Sequence, residues 1–79
     1  MNGEYEVIEA EIIETSELIN KELKNSNLPD EIRIGAVLRE NKVIIPRSNF
    51  VFQKEDKVVF LAKKDSISVV ENIFRISSI

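Results

Sequence analysis

The sequence predicts an α+β domain: a mostly antiparallel β-sheet carrying two helices, in the order β-α-β-β-β-β-α. Three observations carry that expectation. The stretch Ile32 to Pro46, IRIGAVLRENKVIIP, sets two runs rich in β-branched residues on either side of the polar pair Glu40-Asn41, as a β-hairpin does. Tyr5 to Ile13, YEVIEAEII, alternates with a period of two. From Ile67 onward, Ile67, Val70, Ile73 and Phe74 fall at the i, i+3, i+6, i+7 spacing of an amphipathic helix, with Ile76 following.

Taken in order, Met1-Asn2-Gly3 has no periodicity and reads as a mobile or vector-derived end. Order is expected over about residues 5–76 of a single domain spanning 1–79. The first strand places Ile8, Ala10 and Ile12 on a core face, with Val7, Glu9, Glu11 and Ile13 opposite. Thr15 and Ser16 are N-cap candidates for a short helix through SELINKELKNSN, whose only apolar residues are Leu18, Ile19 and Leu23. Asn20 interrupts that pattern, Asn25-Ser26-Asn27 ends it, and Leu28-Pro29 starts an extended connection.

The hairpin follows. Asn41 takes positive φ at low cost, whereas Glu40 is an unusual partner for it, so the spacing predicts a hairpin without fixing the turn type. Pro46 ends the second strand because it has no N–H to give a ladder. Phe50-Val51-Phe52 is a short strand between two polar turns. KVVFLA, Lys57 to Ala62, reads as a central strand covered on both faces. Asp65-Ser66 then caps the last helix, with Val69 off its apolar stripe.

Composition removes several classes of function. With 79 residues, the chain is one small domain with a marginal core, so burial against a partner is a natural supplement. It has neither cysteine nor histidine, which excludes disulfides and thiolate metal sites and takes away the usual general base. A net charge of −3 argues against nonspecific binding to nucleic acid or anionic membranes. No apolar run approaches the ~18 residues of a membrane span, so no direct insertion is expected. The opening MNGEYE does not read as a secretory signal, and a cytoplasmic location follows as the default.

Few residues remain to carry chemistry. Glu9 and Glu11 share a strand face and could form part of a hard-cation site, against the simpler reading of a solvated face. Asp30-Glu31 and Glu55-Asp56 are adjacent pairs whose side chains diverge on an extended backbone. Asp56 reads as a turn-former bonding nearby backbone N–H groups. Arg33, Arg39 and Arg47 lie in or beside the hairpin. On a regular strand Arg33 and Arg39 would share a face roughly 20 Å apart, suited to an anion or simply to solubility. The phenylalanines sit in apolar runs and read as core. Gly3 and Gly35 are the only glycines, so there is no GxGxxG or P-loop. What is left is a binding or assembly module with no enzyme activity.

From Glu6 to Phe74 the chain resembles the TrkA C-terminal domain, also called the RCK C-terminal domain. The resemblance rests on an ordered set. It comprises Ser16, Leu18, Ile19, Asn20 and Leu23; Leu28-Pro29; Ile32 to Pro46 with Gly35, Ala36 and Arg39; then Asn49, Phe50 to Phe52, Gln53, Asp56 and Val58 to Phe60. Asn20, Asn41 and Glu55 stand where the family commonly has glycine, and Glu55 puts the turn before Asp56 in question. The resemblance implies a cytosolic regulatory and dimerisation domain of a bacterial potassium-uptake protein or related cation transporter. Its partners would be a second copy, a membrane subunit of the parent transporter or channel, and an adjacent Rossmann-type domain. It implies no cofactor within the domain but a possible regulatory ligand such as cyclic di-AMP, with Ile32, Arg33, Ile34 and Pro46 as ligand-binding positions by analogy. A purely structural assembly module, or the C-terminal domain of a chloride or other anion transporter, are the alternatives.

Overall fold

In a computed structural model, residues 5–71 and 73–76 are described. They form a five-stranded, antiparallel sheet in the order β3-β2-β4-β1-β5. The strands are β1 (Tyr5–Ile12), β2 (Ile32–Arg39), β3 (Lys42–Ile44), β4 (Lys57–Lys63) and β5 (Phe74–Ile76). The mobile-end expectation for Met1 to Gly3 lies outside the described residues.

One face of the sheet holds the core. Ile8, Ala10 and Ile12 of β1, Val58, Phe60 and Ala62 of β4, and Ile32 and Val37 of β2 are buried together with Leu18, Phe52, Val70 and Phe74. Complete burial of a side chain the size of Phe60 stabilises a fold by about 1.5–3 kcal/mol, so this single layer carries most of the hydrophobic stabilisation. The period-two reading of β1 holds, and Val7 points away from the core at 63% exposure.

The hairpin is present with a two-residue turn. Glu40 has φ 51° and Asn41 φ 65°, positive at both positions as a type I′ turn requires. That turn matches the right-handed twist of its strands, which is why a glutamate is held in a backbone region it does not favour.

Neither helix forms as the sequence predicts. In place of the first, residues Glu17 to Asn20 make turns and Leu23–Asn25 a single 3-10 turn. The segment between them runs extended along the stretch from Ser48 to Phe52. Asn20 N–H donates to Phe52 O at 2.8 Å, Phe52 N–H to Lys21 O at 3.1 Å, and Leu23 N–H to Phe50 O at 2.8 Å. Asn20, at φ 69°, turns the chain out of any helical path. The expected strand Phe50 to Phe52 is thus one side of a small ribbon, bridged at Glu22 and Val51. With no helix to cap, Ser16 instead closes a local turn, its Oγ accepting from the Leu18 N–H at 3.1 Å.

The last helix, α1 (Ile67–Val70), lasts one turn after a 3-10 turn at Lys64–Ser66. Phe74 belongs to β5 instead, because the free edge of β1 has backbone groups to satisfy at Ala10 to Ile12. Its ring also stacks on Phe60 with centroids 5.1 Å apart. A third correction concerns β4. It is central, but Val59 and Leu61 point to a face that no other element covers among the described residues, with Leu61 37% exposed.

Glu55 keeps the turn before Asp56 at φ 72°, the left-handed region. Glu55→Gly should therefore raise stability by about 0.5–1 kcal/mol, the relief of left-handed strain less the added freedom of the unfolded chain. Urea denaturation measures this, and an unchanged or lowered midpoint would show the turn to be unstrained.

Candidate functional site

The register of β2 on β4 sets up the main polar feature. Leu38 pairs with Lys57, which brings the next residues outward, Arg39 and Asp56, side by side at the end of the sheet. Arg39 donates through Nε to Asp56 Oδ1 at 2.8 Å and through Nη2 to Oδ2 at 2.7 Å. The same Nη2 reaches Val51 O at 3.0 Å, and the guanidinium lies 4.9 Å from the Phe50 ring centroid. Asp56 Oδ2 also accepts the Gln53 N–H at 2.9 Å. The Asp56 side chain is only 2% exposed against 26% for Arg39, so a carboxylate removed from water is matched by a fork of donors. The hydrogen bonds from Arg39 to Asp56 push the guanidinium above its ordinary pKa despite the opposing effect of burial, so the cation is permanent.

Asp56 is the turn-former that the sequence predicts, but Arg39 is not an ordinary surface arginine. On a regular strand Arg33 and Arg39 would share a face, but the structure puts them on opposite faces. A β-bulge at Gly35 lets Ile34 pair with Phe60 while Ala36 pairs with Val59. Beyond the bulge the alternation inverts, so Arg33 points outward beside Leu61 and Arg39 points to the core side. The chemical signal for the pair was present: an arginine ending the strand before a hairpin turn, and an aspartate heading the strand it pairs with.

At the other end of β2, a groove of about 310 Å³ lies between the sheet edge and the connection from the 3-10 turn. Ile32, Arg33 and Ile34 line it together with Leu23, Leu28 and Pro29. Three of the four positions expected by analogy therefore converge. Pro46, half-buried after β3, does not line this groove. Glu9 and Glu11 do share a face, where Glu11 is in register with Lys57 on one side and Arg75 on the other. No cluster of three or more acidic residues placed to hold a metal occurs among the described residues. Nor, among them, is any helix long and apolar enough to cross a membrane.

Residues 7–75 match the TrkA-C domain. The chain belongs to that family. A Trk system potassium uptake protein TrkA from Azorhizobium caulinodans is 42% identical over 77 residues, covering 98% of this chain and 17% of the relative. A Trk system potassium uptake protein TrkA homolog from Archaeoglobus fulgidus is 38% identical over 64 residues, 81% of this chain and 15% of the relative. A K(+)/H(+) antiporter NhaP2 from a Shewanella strain is 29% identical over 73 residues, 92% of this chain and 13% of the relative. The TrkA-C chain thus spans less than a fifth of the length of these relatives.

Asp56→Ala should cost the TrkA-C domain about 3 kcal/mol, the low end for breaking a buried pair because Arg39 keeps some water. Arg39→Lys should cost about 1 kcal/mol, since an ammonium provides neither the fork nor the stacking on Phe50. Guanidinium denaturation of the two variants measures both. A loss for Asp56→Ala within about 0.5 kcal/mol of zero, the size of an ordinary surface change, would overturn the assignment.

Proposed function

We propose that this TrkA-C domain is a cytosolic regulatory domain of a bacterial potassium-uptake protein or a related cation transporter, which dimerises, senses a small ligand and catalyses nothing. Membership of the TrkA-C family carries this reading, supported by relatives whose names all concern potassium transport. Their extra length leaves room for a Rossmann-type domain and for contact with a membrane subunit. A chain without histidine lacks the usual general base, which favours binding over catalysis.

The groove beside Ile32, Arg33 and Ile34 is the ligand site in this reading. Its volume of about 310 Å³ is at the small end for ligand pockets, enough for part of a nucleotide. Apolar walls at Ile32, Ile34 and Leu28 would take a base, and the exposed Arg33 guanidinium would take a phosphate, as cyclic di-AMP presents them. Occupancy regulates the transporter only if the ligand binds its two gating states with different affinity.

Titration calorimetry with cyclic di-AMP, ATP and Ca²⁺ in turn tests sensing. Saturable heat is expected with cyclic di-AMP, weakened about tenfold or more in Arg33→Ala, as fits loss of a charge-assisted hydrogen bond. No heat with any of the three would leave the domain an assembly role alone.

A further inference from the structure

β3 is an outermost strand of the sheet, paired with β2 alone among the described residues. The two-residue turn at Glu40-Asn41 decides which of its backbone groups are used. Arg39 and Lys42, which flank that turn, exchange hydrogen bonds, and so do Val37 and Ile44. The N–H and C=O groups of Val43 and Ile45 therefore point away from β2, and among the described residues they meet no backbone partner. The same two residues carry the most exposed large apolar side chains described, Val43 at 68% and Ile45 at 71%. An edge like this invites a further strand, and proteins blunt such edges with charge and proline. Here Lys42 heads the strand and Pro46 stops it, which limits the edge to a short slot with an apolar middle.

Charge says what fits the slot. In a chain of net charge −3, the run from Lys42 to Arg47 has a cation at each end and no acid between them. Neither Lys42 nor Arg47 forms an ion pair among the described residues. Glu40 and Glu55 lie beyond the turn end, where they share a cavity with Lys57. Arg39, opposite Lys42, is held by Asp56, and Glu22, bridged to Val51 on the ribbon, pairs with Lys24. We infer that the edge of β3 docks an extended segment of another polypeptide, apolar at its middle and acidic at both ends, as an added strand. Its backbone would bond to Val43 and Ile45, alternate apolar side chains would cover theirs, and its end carboxylates would meet Lys42 and Arg47. A second copy fits worse, because antiparallel pairing of Val43 with Ile45 across a two-fold brings Lys42 of each copy towards Arg47 of the other. The slot is separate from the groove at Arg33 and does not depend on a ligand there.

Titration of the isotope-labelled chain with the end-blocked peptide EVTVE, followed by amide chemical shifts, tests this. Saturable shifts are expected, largest at the Val43 and Ile45 amides. They should vanish with the same peptide N-methylated at both valines, which removes its donors to the edge. The peptide KVTVK should bind about tenfold or more weakly. Lys42→Glu combined with Arg47→Glu, both at exposed positions and with the fold checked by circular dichroism, should reverse that preference. No shift with EVTVE at millimolar concentration would overturn the proposal, as would shifts confined to Ile32, Arg33 and Ile34. Equal binding of the N-methylated peptide would make this an apolar patch and overturn strand addition. A preference that the double exchange leaves unchanged would overturn the acidic ends. Shifts of Val43 and Ile45 that grow with protein concentration in the absence of peptide would make a second copy the occupant and overturn the assignment to another polypeptide.

Discussion

The fold depends on the ion pair of Arg39 and Asp56 more than on any other polar contact. A carboxylate that is 2% exposed would be strongly destabilising alone, and only a matched cation with several hydrogen bonds offsets its desolvation. Here the matching ties together segments far apart in sequence. Arg39 ends one hairpin strand, Gln53 N–H belongs to the turn, and Val51 O belongs to the ribbon over the sheet. The backbone of Asp56 extends the set, its carbonyl accepting the Ile12 N–H at the end of β1. The phenylalanine beneath the guanidinium, Phe50, packs edge-on against Phe52 in the core. One side chain thereby registers the hairpin, the ribbon and the first strand against each other.

That registration matters because little else holds the covering layer. The sheet has a single core face, and what closes it is a ribbon of extended chain and one turn of helix, without a full-length helix. A ribbon cannot satisfy its backbone internally as a helix does, so its N–H groups need partners on a neighbouring segment. Those partners lie between Ser48 and Phe52, the stretch that Arg39 fixes through Val51 and Phe50. Ion pair and ribbon are one arrangement.

How far the sequence revealed this varies with the range of the interactions. β1, the hairpin and β4 were legible because alternation and turn chemistry are local signals. The identity of the core followed from them, with Ile8, Ala10 and Ile12 on the expected face. The two helices were misread for a tertiary reason. SELINKELKNSN has residues that tolerate a helix, but pairing with the Phe50 to Phe52 stretch outweighs that weak preference. Phe74 fits a helical spacing, yet the open edge of β1 gains more from it as a strand. At the candidate sites, Ile32, Arg33 and Ile34 were legible only through family likeness, since no local pattern marks a groove. Arg39 was misassigned because its burial depends on a register that the bulge at Gly35 alters.

That bulge has a consequence for how β2 can vary over evolutionary time. Gly35 itself is not sterically compelled: a Cβ there would meet Val59 O at an ordinary 3.5 Å. What is compelled is the count of residues. On the Ile32 side even-numbered positions face the core, and on the Arg39 side odd-numbered positions do. Drift by substitution is therefore filtered by opposite parity rules within one continuous strand, and a single-residue gain or loss there would exchange core and surface for half of it. The strand is two half-strands under opposite rules, joined where the count changes.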